Sequence, residues 1–149
     1  DADGVAVFPG LPVGEYSIQA SAGDMSHPRI TFELAGTDSL ELSAMLRPVK
    51  EFTISGAIRN IGDYRFDDSI PGPTMAVEYG DMVRVTFSVP EGDIVHVFAI
   101  DEFGVTSPNV IRGESTIIEF VAEQKGQFSY YCPLPSHRAL GMEGAFEVN

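Results

Sequence analysis

Apolar and polar residues alternate with a period of two in short runs along the chain, as at Ile30, Phe32 and Leu34. Such alternation is typical of β-strands that bury one face. No stretch keeps apolar residues at the i, i+3, i+4, i+7 spacing of an amphipathic helix over three turns. Gly, Pro and Asp interrupt the runs, as expected for turns between strands. The pattern therefore predicts an all-β protein.

The predicted strands form two sets, separated at residues 47–51, where the sequence Arg-Pro-Val-Lys-Glu is polar and contains a proline. We expect a boundary between two units here, residues 1–49 and residues 50–149. Many short strands of this kind close most readily into a β-sandwich. The first unit has about 50 residues, which is short for an independent sandwich. The predicted strands are residues 5–8, 15–22, 30–34 and 40–46 in the first unit, and 52–58, 75–79, 82–89, 94–100, 115–121, 126–132 and 145–148 in the second.

Charge and cysteine content exclude several classes of function. The chain has 22 acidic and 9 basic residues and a formal net charge of −13 at pH 7. A nucleic-acid partner is therefore not expected, because such proteins present a basic face to phosphate. No run of 18 apolar residues is present, so no membrane-spanning helix is predicted. The single cysteine excludes an internal disulfide and any metal cluster that needs several cysteines of this chain.

Residues 124–142 contain no Asp or Glu, and this acid-free segment holds Cys132, His137 and Met142 at intervals of five. His96 lies upstream in a predicted strand. A thiolate and two imidazoles with a weaker axial thioether are the ligands of a type 1, or blue, copper site. These four residues are therefore predicted to bind one copper ion per chain.

The second unit resembles the cupredoxin family in three stretches. The spacing Cys132-x4-His137-x4-Met142 is similar to that of rusticyanin-like and plastocyanin-like proteins. The strand that contains His96 resembles the one that bears their first histidine ligand. Residues 70–85 resemble the opening strands of cupredoxin and multicopper-oxidase domains. The resemblance implies a Greek-key β-sandwich with a type 1 copper centre.

Two residues depart from that family's pattern. Val97 follows the first histidine, where many relatives have Asn or Ser that can hydrogen-bond near the cysteine sulfur. We therefore expect backbone N–H groups to support the sulfur in this chain. Ser136 stands where Gly is common before the second histidine. Pro133 and Pro135 restrict the loop between the cysteine and that histidine.

Residues 1–20 resemble the middle of a carboxypeptidase regulatory-like, or prealbumin-like, domain. They contain an Asp3-Gly4 turn and a Gly-Leu-Pro-Val-Gly-Glu-Tyr hairpin that ends at Tyr16. Strands that precede this point in that family are missing, so the first unit is expected to be an incomplete β-sandwich that serves as a structural spacer. Its open edge leaves room for pairing with a second copy or with the rest of a longer polypeptide. Calcium binding at Asp1 and Asp3 is an alternative, although two carboxylates without a loop of about 12 residues support it poorly.

The histidine count limits the chemistry of the predicted centre. A type 2 or trinuclear copper centre needs several more histidines than this chain has, and Tyr131 rather than a histidine precedes Cys132. We therefore expect one-electron transfer between redox partners through Cu(II)/Cu(I), and no enzymatic activity. Two alternatives stay open. One is a copper protein with an open coordination position that acts on nitric oxide or nitrite, and the other is a purely structural protein of β-modules.

The acid-free segment also predicts a docking surface. The ring edge of His137 is expected to emerge within an apolar surface suited to brief contact with another redox protein. Arg138 adds a positive charge there, which is expected to help docking and to raise the reduction potential slightly. Carriers of this kind usually work outside the cytoplasm, so a periplasmic or extracellular location is expected. The predicted docking residues are Pro133, Leu134, Pro135, Arg138 and Leu140.

Overall fold

β-Strands dominate the computed structural model, which describes residues 5–36 and 40–149. The prediction of an all-β sandwich is confirmed. Helical structure in these residues is limited to two 3₁₀ turns, at Asp101–Phe103 and Arg138–Leu140, and no helix there is long and apolar enough to cross a membrane. In chain order the strands are β1 (Gly14–Ile18), β2 (Ser21–Ala22), β3 (Met25–Ser26), β4 (Ile30–Leu34), β5 (Arg47–Asn60), β6 (Asp63–Phe66), β7 (Gly72–Val77), β8 (Met82–Ser88), β9 (Val95–His96), β10 (Ala99–Ile100), β11 (Val105–Thr106), β12 (Val110–Ile111), β13 (Ser115–Val121), β14 (Gly126–Tyr131) and β15 (Glu143–Val148).

Two sheets supply the layers of the sandwich. One has the strand order β11-β10-β14-β15-β7, in which β15 and β7 run parallel. The other has the order β13-β8-β5-β3-β2, in which β5 and β8 run parallel and β6 pairs with the second half of β5. The pairs β1–β4 and β9–β12 form two further ladders. Alternation along β8 and β15 buries every second side chain, so that Val85, Phe87, Phe146 and Val148 contribute to one continuous core.

Four aromatic side chains, Phe66, Phe87, Phe98 and Tyr130, pack together in that core and are fully buried. The ring centroids of Phe66 and Tyr130 are 4.9 Å apart, and those of Phe98 and Tyr130 are 5.3 Å apart. The Tyr130 hydroxyl donates a hydrogen bond of 2.6 Å to the backbone oxygen of Pro73, which ties β14 to β7. The cluster therefore gives the neighbouring ends of β9 and β14 a rigid support.

The prediction from the sequence is wrong for some of the strands. Residues 5–8 and 40–46 form no strand, although apolar and polar residues alternate there. Phe8 and Met45 are 62% and 67% exposed, and neither run joins a sheet of the described residues. A pattern of period two gives a stable strand only where neighbours complete a sheet with a buried face. The strand predicted at residues 94–100 is divided into β9 and β10, and β6 was not predicted.

The predicted boundary at residues 47–51 lies inside strand β5, which continues without interruption from Arg47 to Asn60. The first residues of β5 pair with β3, and the following residues pair with β8. The two predicted units therefore share one strand, and their independence as domains stays a prediction. The Asp3-Gly4 turn and the alternative calcium site at Asp1 and Asp3 lie outside the described residues.

Replacing Tyr130 by Phe is expected to lower the free energy of unfolding by about 1 kcal/mol, because the backbone oxygen of Pro73 loses its donor. Urea unfolding of the two proteins measures the difference. Tyr79→Phe is the control, because Tyr79 is exposed and its hydroxyl makes no hydrogen bond within the described residues. Equal stability of Tyr130→Phe and the parent chain would show that the bond between β14 and β7 contributes nothing.

Candidate metal centre

Three predicted ligands meet at one point of the structure. His96 ends β9, Cys132 directly follows β14, and His137 directly precedes the 3₁₀ turn Arg138–Leu140. Their ligand atoms all lie within 4.8 Å of one another. The Nδ1 atom of His137 is 3.2 Å from Nδ1 of His96 and 3.3 Å from Sγ of Cys132. His96 and Cys132 are fully buried, and His137 is half-buried.

Backbone hydrogen bonds close the loop that carries the predicted ligands. The Cys132 N–H donates to the Met142 carbonyl at 3.1 Å, and the Met142 N–H donates to the His137 carbonyl at 3.0 Å. The His137 N–H donates in turn to the Leu134 carbonyl at 3.1 Å. Ser136 adopts a φ of +70°, in the left-handed region that favours the glycine common at this position. The loop is therefore held by its own backbone as well as by its prolines.

Met142 is fully buried beside His96, and both residues pack against Gly56 of β5. A Cβ atom added to Gly56 would lie 2.6 Å from the Met142 methyl carbon and 3.1 Å from Cβ and Cγ of His96. Only a glycine leaves this space free. The sequence pattern gives no sign of this role for Gly56, because the role depends on β5 passing under residues far away in the chain. The assignment of Met142 as axial ligand stays a prediction.

Asp93 is a second residue near the predicted ligands that the sequence-based prediction did not include. Its side chain is buried, and its Oδ1 atom lies 3.0 Å from Nε2 of His96. The same carboxylate accepts hydrogen bonds from the N–H of Ile58 at 2.5 Å and from the N–H of Ile94 at 3.0 Å. Since Nε2 of His96 is engaged by Asp93, Nδ1 is the nitrogen directed towards the cysteine. An Asp three residues before a histidine in a Pro-Glu-Gly-Asp turn was the available signal.

Burial controls the protonation of the three donors. Burial raises the pKa of the Cys132 thiol, and backbone hydrogen bonds from Val97 and Leu134 oppose that rise. The Val97 N–H lies 3.5 Å from Sγ, which confirms that backbone donors support the sulfur. Burial also lowers the pKa of His96 and of His137, so both imidazoles favour the neutral form that binds metals. A cation bound between these donors would stabilise the thiolate against the cost of burial.

The surface around His137 differs from the sequence-based expectation in its charge. Arg138 is paired with Glu143, with guanidinium-to-carboxylate distances of 2.6 and 3.1 Å, and its Cζ lies 4.3 Å from the ring centre of Tyr131. The segment without acidic residues therefore meets an acidic side chain in space, and the positive charge of Arg138 is balanced locally. Tyr64 was not foreseen either, and its ring lies 4.3 Å from the ring of His137. Of the predicted docking residues, Leu134 is half-buried, whereas Pro133, Pro135, Arg138 and Leu140 are exposed.

Comparisons with known proteins agree on the fold. No family model matches the chain. It is 32% identical over 109 residues to a copper-containing nitrite reductase of Rhizobium sullae, a match that covers 66% of this chain and 29% of that protein. A copper nitrite reductase structure from Nitrosomonas europaea has a TM-score of 0.62 at 23% identity, covering 68% of this chain and 41% of that one. Reduced auracyanin from Roseiflexus castenholzii has a TM-score of 0.55 at 20% identity, covering 66% of this chain and 96% of that one.

The fold is cupredoxin-like. Copper is the cofactor that this site fits, because its donors are one thiolate sulfur and two imidazole nitrogens, the ligand set of a type 1 centre. The cupredoxin-like chain spans about 29% of the Rhizobium sullae relative's length, so that enzyme's activity does not transfer with the fold. The resemblance of residues 1–20 to a carboxypeptidase regulatory-like domain stays a prediction.

Replacing Gly56 by Ala is expected to displace the Met142 methyl group and the His96 ring, because the added Cβ overlaps both. We expect a loss of about 1–3 kcal/mol of stability and an altered copper absorption spectrum. Thermal unfolding and copper(II) titration of the variant measure the two effects. Gly92→Ala is the matched control, since a Cβ there meets no atom within 4 Å. Equal spectra and equal stabilities for the two variants would contradict this role of Gly56.

Proposed function

We propose that the chain is a mononuclear type 1 copper protein that passes single electrons between redox partners. The observation that carries the proposal is the convergence of two imidazole Nδ1 atoms and one thiol in a buried site. Copper bound by His96, Cys132, His137 and Met142 would supply a one-electron Cu(II)/Cu(I) couple. The surrounding residues position these ligands and limit the access of water to them.

Those residues hold the donors in place and keep water out. Asp93 fixes the ring of His96, while the carbonyl of Met142 and the N–H of Val97 restrain Cys132. A scaffold this constrained limits the movement of the donors when the charge of the centre changes, which favours fast electron exchange. Three of the four proposed ligands are fully buried, which limits the access of a substrate to the centre. This arrangement supports a carrier more than a catalyst.

The half-buried ring of His137 is the proposed route for electrons to a partner. Pro133, Pro135 and Leu140 are exposed near it, and Ile70 extends the apolar surface. Ile70 touches the loop, because a Cβ on Gly141 would lie 2.9 Å from its Cδ1 atom. An apolar surface of this kind suits brief docking of a small redox protein. Arg138 remains a proposed docking residue, with little effect on the potential because Glu143 balances its charge.

The nitrite reductase relatives favour one second candidate, a copper enzyme acting on nitrite or nitric oxide. Such chemistry needs an open coordination position or a second metal site. Among the described residues, one group of three His, Cys, Asp or Glu side chains is close enough to hold a metal ion. His27 lies between β3 and β4, where its Nδ1 contacts the Pro28 carbonyl. Catalysis at another copper would therefore require ligands from outside these residues.

The cellular context follows from the same proposal. Copper carriers with a thiolate ligand usually work outside the reducing cytoplasm, so we place the protein in the periplasm or outside the cell. The strands before β5 are proposed to act as a spacer that joins a second copy or a longer polypeptide.

Addition of copper(II) to the 149-residue chain is expected to produce an intense visible absorption from thiolate-to-copper charge transfer. Cys132→Ser removes the sulfur and is expected to abolish that absorption. His96→Ala is expected to weaken it strongly, whereas His27→Ala leaves it unchanged because that histidine lies elsewhere. A chain that stays colourless with copper(II) would support the structural alternative and contradict the proposal.

Nitrite distinguishes the carrier from the enzyme. An oxidised redox protein is expected to reoxidise the reduced, copper-loaded chain and so restore its visible absorption. Over the same time, nitrite is expected to leave the reduced chain colourless. The reason is that four proposed ligands, three of them fully buried, would fill the coordination positions of the copper. Stopped-flow absorption measures both rates. Rapid return of colour with nitrite, accompanied by nitric oxide, would support the enzyme instead.

A further inference from the structure

We propose that Asp93 is the positioning residue of the copper centre, which commits His96 to bind through Nδ1 and sets a negative charge beside the metal. The inference rests on the proposed copper site and concerns a residue outside its ligand set. Asp93 belongs to the turn between β8 and β9, three residues before His96.

The geometry around the imidazole carries the first half of the proposal. The side chain of His96 is 0% exposed and that of Asp93 is 4% exposed, so water cannot replace their contact. Oδ1 of Asp93 lies 3.0 Å from Nε2, and a neutral imidazole has one N–H and one lone pair. With the N–H donated from Nε2 to the carboxylate, the lone pair lies on Nδ1, which faces His137 and the thiol.

The position of Asp93 is itself fixed from two directions. Its Oδ2 accepts from the Ile58 N–H on β5, and its Oδ1 accepts from the Ile94 N–H of its own turn. Strand β5 also contributes Gly56, which touches His96 and Met142. The carboxylate of Asp93 therefore links β5 to β9, the strand that carries His96. Loss of Asp93 would free the ring to turn and would leave the Ile58 N–H without an acceptor.

Charge carries the second half. Within the described residues, the neutral imidazole of His96 contacts Asp93, and no Lys or Arg forms a salt bridge with this carboxylate. The centre therefore combines a buried carboxylate with the Cys132 thiolate. A negative charge in an apolar site stabilises copper(II) more than copper(I), which lowers the reduction potential. This effect is opposite in sign to the one expected of Arg138 from the sequence.

Asp93→Asn tests the proposal against Asp81→Asn as matched control. Each of the two aspartates is 5% exposed as a whole residue. Asp81 accepts a hydrogen bond of 2.9 Å from the Glu78 N–H, in a turn that is not linked to a proposed ligand. Asp93→Asn is expected to weaken copper(II) binding about 10- to 100-fold and copper(I) binding less, so that the reduction potential rises. Asp81→Asn is expected to leave the ratio of the two affinities unchanged. Equal affinity ratios in the two variants would overturn the role of Asp93.

A second measurement needs no variant and stays decisive if Asp93→Asn fails to fold. In the copper(I) form, which is diamagnetic, ¹⁵N NMR is expected to show His96 protonated at Nε2 and coordinated through Nδ1. Coordination through Nε2 would overturn the proposal. The visible absorption of the copper(II) chain distinguishes failure of the proposed copper site from failure of the proposed role of Asp93. Its absence overturns the copper site together with this inference, whereas its presence with unchanged affinity ratios overturns the role of Asp93 alone.

Discussion

Cys132 and His96 are completely buried in an apolar core, and this burial is the constraint on which the site depends. A polar group removed from water costs several kilocalories per mole unless it finds a partner. His96 finds Asp93 and the second histidine, and the thiol finds the Val97 N–H and the same histidine. These contacts satisfy the donors and also aim them at a common point. The arrangement of the metal-binding atoms thus follows from how the apolar core provides partners for His96 and Cys132.

Strand β5 connects the parts of the molecule that matter for this centre. Its first residues pair with β3, its middle pairs in parallel with β8, and its end pairs with β6. The residues near that end support the site, because Gly56 lies under His96 and Ile58 donates to Asp93. The hairpin of β5 and β6 brings the ring of Tyr64 to 4.3 Å from the ring of His137. Strand β5 therefore connects the strands that precede it to the surroundings of His137, through which we propose that electrons leave.

Charge along the sequence and charge in space differ at this surface. The segment of residues 124–142 carries no acidic side chain, yet Glu143 binds Arg138 and Asp101 accepts from the Tyr131 hydroxyl. An antiparallel neighbour or a nearby turn supplies charges that the segment itself lacks. The surface that we propose for a partner is therefore apolar at its centre and balanced in charge at its rim. Such a rim favours short encounters over tight complexes.

The sequence alone determined the features that depend on neighbours in the chain. Alternation determined the all-β class, and Cys132, His137 and Met142 lie within one loop, so their spacing was enough to suggest a copper site. Only the tertiary structure decided the role of Gly56, which lies on a strand distant in sequence from His96, and the anchoring of Asp93 by the Ile58 N–H of that same strand. It also decided that residues 5–8 and 40–46 form no strand, since strand formation requires a partner as well as a pattern. Ligands within one loop can be found from their spacing, whereas the strand that supports the first histidine and anchors its aspartate is brought there by the packing of the sheet.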